Sequence, residues 1–212
     1  MTPHRAAHAV AWISGKFRLS ARHSALLASL VLCGPACAHP SPDASGQASA
    51  MAGLLHPMAG LDHALAMATV GLLGAAIGGC ARWTVPASFL TGMALGALAG
   101  VLGLVMPFAD LAILLSVVAL GLALALVRRM PQAAVYMAVG LFALFHGAAH
   151  ALEAPTHGLS AWLVGVLAGT ALLHGLGAAG AVALLRFTPR AETKLRGLGV
   201  VIAASGVVLA VG

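Results

Sequence analysis

From residue 54 to its end, the chain is divided into six long apolar runs by short gaps that hold most of its charge. The runs fall near 54–79, 84–107, 110–127, 132–151, 159–185 and 197–212. Crossing the hydrocarbon core of a bilayer takes about 20 helical residues, with about 17 near the lower limit. The third and last runs are close to that limit and the other four clear it. Lipid cannot hydrogen-bond an open backbone, so such segments must be helices. Composition agrees: 61% of residues are hydrophobic and 8% are charged, whereas a soluble domain carries roughly 25% charged residues. The polar surface is too small to cover a water-soluble globule. Abundant Gly and Ala suit helices that approach closely in a medium that does not press them together. The expected fold class is all-α, a polytopic membrane protein with six transmembrane helices.

Ahead of the runs, residues 1–38 read as a cleavable signal peptide. Arg5, Lys16, Arg18 and Arg22 form a basic leader, residues 24–32 a short apolar core, and Ala36-Cys37-Ala38 an A-x-A cleavage site. Residues 39–53 then form a polar periplasmic lead-in, and residues 54–212 the six-helix domain. With the N-terminus outside after cleavage, the inner loops hold Arg82, Arg128, Arg129, Arg186, Arg190, Lys194 and Arg196. The outer loops, 106–110 and 153–158, hold neither Lys nor Arg. That asymmetry obeys the positive-inside rule and expects both termini in the periplasm of a bacterial inner membrane. The net charge of +6 is thus topological. No basic face suggests nucleic acid, and no P-loop suggests ATP-driven transport. Cys33 and Cys37 fall in the leader, and Cys80 reads as a small buried residue at a helix end.

The chemistry lies in the few ionisable residues left among apolar ones. A charge within a span costs about 2.5–3.5 kcal/mol on insertion scales, so it needs a partner or a task. The first run opens His56-Pro57-Met58-Ala59-Gly60-Leu61-Asp62-His63. On one continuous helix, with Pro57 in its first turn, His56 and His63 would share a face and Asp62 could orient an imidazole. Met67 follows one turn beyond His63, as ligand or packing. The fourth run ends with His146, His150 and Glu153, spaced i, i+4 and i+7, which can chelate one ion from a single helix or lock helices by hydrogen bonds. Alternating topology places both groups in the periplasmic half of the membrane. Asp110 opens the third run at the same boundary, as ligand or as a carboxylate favoured by the helix N-terminus. His174 lies about 22 Å of helical rise into the fifth run, as a deeper station or a packing residue. His157 reads as a solvated loop residue, and His39 as a new N-terminus able to chelate. Imidazole with carboxylate suits Ni, Co, Zn, Cu or Fe rather than Mg or Ca. An intramembrane zinc hydrolase or a haem-binding subunit would also use histidines.

These motifs resemble the HupE/UreJ family of nickel/cobalt permeases. The family pattern H-P-x-x-G-x-D-H-x-x-A-M is matched by His56, Pro57, Gly60, Asp62, His63, Ala66 and Met67. The pattern F-H-G-x-A-H-G is matched by Phe145, His146, Gly147, Ala149 and His150, with Ala151 where the family usually has Gly. The run Met106-Pro107-Phe108-Ala109-Asp110 is similar to the family's P-x-x-E, with the shorter Asp in place of Glu. The resemblance implies Ni2+ or Co2+ as transported ion, with no permanently bound cofactor. Its partners would be the ion and the lipid bilayer; homo-oligomers are left open. Reporter fusions test the topology: a periplasm-dependent alkaline phosphatase joined after residue 212 should be active, and one joined near Arg129 inactive. The opposite pattern would reverse the orientation.

Overall fold

The computed structural model describes residues 49–127 and 129–211. The expected signal peptide, most of the lead-in and His39 lie outside them. Among the described residues the structure is all helical: α1 (Ala50–Ala59), α2 (Leu61–Ile77), α3 (Ala81–Val101), α4 (Ala109–Ala125), α5 (Gln132–Glu153), α6 (Leu159–Phe187) and α7 (Ala191–Val211). Four of these, α3, α5, α6 and α7, are long and apolar enough to cross a membrane. Together α1 and α2 make a fifth candidate span, bent by 92° at their junction, and α4 is a shorter apolar helix of 17 residues.

The bend corrects the expectation of one continuous first helix. Ser49 accepts a hydrogen bond from the Ala52 amide and starts α1 early. Pro57 therefore falls inside α1, near its end, rather than in a first turn. There it cannot donate to the preceding turn. At Gly60 the backbone is extended (φ −93°, ψ 123°), and α2 begins afresh. The last helix also differs: it starts at Ala191, ahead of the apolar run, and takes in Glu192, Lys194 and Arg196. Arg196 is held there by its Nε, which donates to the Ala125 carbonyl at 3.0 Å. A cation so placed satisfies an orphan carbonyl at the C-terminus of α4.

The helix α2 is buried along nearly its whole length and touches α1, α3, α4, α6 and α7. A helix that is apolar all round is stable only inside other structure. Around it α3 packs on α5, α4 on α7, and both α1 and α2 on α6. The described Lys and Arg residues lie at or beside the α2–α3, α4–α5 and α6–α7 connections. The head of α2, the tail of α5 and the head of α6 meet at the opposite end, where ring contacts join His63 to His150 and His56 to Trp162.

Two glycines set the distances on which the site depends. A Cβ at Gly71 of α2 would run into the His174 carbonyl and the Ala178 amide of α6. A Cβ at Gly147 of α5 would run into the Met93 carbonyl and the Ala97 amide of α3. In both cases the obstacle is backbone, so the helices would have to separate. Gly71→Val should therefore destabilise the protein by about 1–3 kcal/mol. Gly175→Val, at a position with open space around it, should stay within about 0.5 kcal/mol. Thermal unfolding of the two variants in detergent checks the contrast.

Candidate metal site

At the head of α2, Asp62 does two things at once. Its Oδ1 accepts from the backbone amide of His63 at 2.7 Å, supplying one of the acceptors that a fresh helix start lacks. The same oxygen lies 2.9 Å from His63 Nδ1. The carboxylate accepts, so Nδ1 carries the proton and Nε2 keeps its lone pair. That pairing fixes tautomer and ring orientation, as in metal sites where a carboxylate backs a histidine.

The bend reroutes His56. It leaves the face of His63 and meets the tail of α5, where Glu153 Oε2 lies 2.8 Å from His56 Nε2. The same oxygen is 3.6 Å from His150 Nδ1, too long for a hydrogen bond. His56, His150 and Glu153 each offer one ligand atom within 4.8 Å of the others. Ligands about 2.1 Å from one late transition ion lie roughly 3–3.5 Å apart. The trio is thus a loose version of such a shell. His146 does not join it, contrary to the expectation of a single chelating trio on α5. Its ring stacks on His63 with centroids 5.0 Å apart. His63 is also 4.8 Å from His150 by ring centroids, and His150 is 5.1 Å from His56. His150 is therefore common to an outer group with His56 and Glu153 and an inner group with His63 and His146.

Four of these imidazoles are almost sealed: His63 is 5% exposed, His146 0%, His150 1% and His174 2%. Five of their ring nitrogens are buried without a hydrogen-bond partner: His63 Nε2, His146 Nδ1, both nitrogens of His150, and His174 Nε2. An unsatisfied buried polar group costs about 1–3 kcal/mol. Packing alone would leave these nitrogens with that cost. A divalent cation, taking lone pairs from several of these nitrogens, would offset it.

The other nitrogen is anchored in three of the four. His63 has Asp62. His174 Nδ1 lies 2.7 Å from the Met67 carbonyl, which can only accept, so Nε2 is again the lone-pair nitrogen. Ser116 Oγ gives its proton to the Ile113 carbonyl at 2.6 Å and so can only accept from His146 Nε2, 3.5 Å away. The ring of Phe89 meets both His174 and His146 edge-on, at 5.1 and 5.4 Å.

Asp110 is exposed in the first turn of α4, where the helix N-terminus favours a carboxylate; none of the contacts just described runs through it. His157 is exposed in the α5–α6 connection, as expected. Cys80 is exposed rather than buried. Sequence reasoning did not find Ser116, Phe89 or Trp162. The Trp162 ring lies 5.0 Å from His56 and 6.3 Å from His150.

A family model described as HupE / UreJ protein matches residues 27–209. The chain belongs to the HupE/UreJ family. Its members are permeases rather than enzymes and are associated with nickel/cobalt transport. Protein HupE of Rhizobium leguminosarum bv. viciae is 40% identical over 187 residues, covering 88% of this chain and 95% of that protein. No solved structure matches the chain. Family membership sets aside the hydrolase alternative, since these proteins are not enzymes. Asp62→Asn keeps the shape but weakens the acceptor that orients His63. It should lower the affinity of the purified protein for Ni2+ by about 10–100-fold, read by equilibrium titration.

Proposed function

We propose that this protein is a secondary permease that brings Ni2+ or Co2+ across the bacterial inner membrane. The observation that carries the proposal is the group of buried imidazole nitrogens left with lone pairs and no hydrogen-bond donor. In this reading the signal peptide is removed and six spans remain: the bent α1–α2 pair, then α3, α4, α5, α6 and α7. Both termini face the periplasm and the basic connections face the cytoplasm, following the positive-inside rule. His56, His150 and Glu153 meet the ion first. His150 then shares it with His63 and His146, while Asp62 holds His63 in the receiving tautomer. Asp110, at the head of α4, adds negative charge at the periplasmic surface. His174 takes the ion further inward.

The loose spacing of the outer trio supports transport over storage, because an ion held too tightly cannot leave. A membrane potential supplies about 4.6 kcal/mol per 100 mV for a divalent cation, twice the single-charge value. That is enough to drive uptake without a nucleotide. Uptake of labelled Ni2+ and Co2+ into cells or proteoliposomes tests the reading. His63→Ala and His150→Ala should each slow uptake at least about tenfold at wild-type abundance. Wild-type rates in both variants would overturn it.

A further inference from the structure

Below the imidazole cluster lies a second group of donors that the outer site does not use. Thr170 and His174 are one turn apart on α6, on the same face. Thr170 Oγ1 lies 3.3 Å from the thioether of Met67 on α2 and 3.5 Å from that of Met93 on α3. One hydroxyl proton cannot serve both sulfurs fully, so thioether lone pairs remain. His174 is tied to the same methionine through its backbone: the Met67 carbonyl holds Nδ1 and leaves Nε2 buried and unpartnered. Met67, Met93, Thr170 and His174 are all buried, and they come from three helices. Plain core filling would account for two methionines. It does not account for an orphaned imidazole nitrogen on His174, one turn from the hydroxyl that meets both sulfurs.

We propose that Met67, Met93 and His174, with Thr170 beside them, form a second, inner metal station with sulfur donors, distinct from the nitrogen and oxygen donors of the outer cluster. This rests on the permease reading above. Thioether and imidazole together are softer than imidazole with carboxylate. The station therefore favours late, borderline divalent ions such as Ni2+ over harder ones such as Mn2+, which the outer carboxylates admit more readily. The Phe89 ring meets both His146 and His174 edge-on, and the thioethers add donors that the outer cluster lacks.

The test compares wild type with the double variant Met67→Leu/Met93→Leu, a swap that conserves volume and apolarity. Full-length protein in detergent is titrated with Ni2+ and followed by X-ray absorption. Wild type should show a nitrogen/oxygen shell for the first ion and sulfur scattering as the second binds. The double variant should bind the first ion unchanged, which also shows that it is folded, and lose the sulfur signal. Its Ni2+ uptake should fall about tenfold and its preference for Ni2+ over Mn2+ should shrink. Nitrogen and oxygen ligands alone in wild type, or unchanged uptake and selectivity in the variant, would overturn the inner station while leaving the outer site standing. Failure of wild type to bind Ni2+ at all would overturn both.

Discussion

A single carboxylate at the head of α2 reconciles the backbone with the site. Breaking a helix inside a membrane exposes amides that lipid cannot satisfy. The break at Gly60 is tolerated because α1 lies against α6 and because Asp62 accepts from the His63 amide. The same Asp62 oxygen turns the His63 ring so that its lone pair faces inward. Were the first run one straight helix, His56 would lie on the His63 face, two turns away. The bend instead carries it to Glu153 and Trp162, and so creates the outer trio. The irregular backbone and the cluster thus depend on each other.

Close helix contact does the remaining placement. His174 can reach the Met67 carbonyl because Gly71 lets the α2 and α6 backbones touch beside it. His146 lies next to Gly147, where α5 meets α3 in the same way. Imidazoles are short, and converging several of them from α2, α5 and α6 requires backbones nearer than ordinary side-chain packing allows. Small residues therefore set where the imidazoles meet as well as how the helices associate.

The sequence made the helical class and its apolar segments legible because a bilayer demands length and apolarity, which need no tertiary information to read. It also exposed most of the cluster, since His and Asp in an apolar run stand out by cost alone. What stayed hidden was set by neighbours. By sequence Pro57 fits a first turn, but Ser49 starts α1 upstream and leaves Pro57 near the end of that helix. The spacing of His146, His150 and Glu153 fits one shell on paper, yet His63 draws His146 away and His56 claims Glu153. Ser116, Phe89, Trp162 and Thr170 carry no signal of their own. A hydroxyl or an aromatic ring in an apolar helix is common, and only contact with an imidazole or a thioether on another helix marks it out.

Shared ligands are what allow a row of strong donors to pass an ion along rather than keep it. On the proposed reading, His150 belongs to both groups of the cluster, since its ring lies about equally far from His56 and His63. An ion moving between them need not shed all its ligands at once. It exchanges Glu153 and His56 for His63 and His146 while one imidazole stays within reach, so no step passes through a bare divalent cation in a low-dielectric interior. The cost of such a bare state rises as the square of the charge, and a potential worth about 4.6 kcal/mol per 100 mV could not cover it. Stepwise exchange keeps each barrier to the loss of one or two ligands. This favours a ladder of incomplete shells over one well-formed site, and it agrees with the loose spacing of the outer trio and the absence of hydrogen-bond partners on the buried nitrogens that follow.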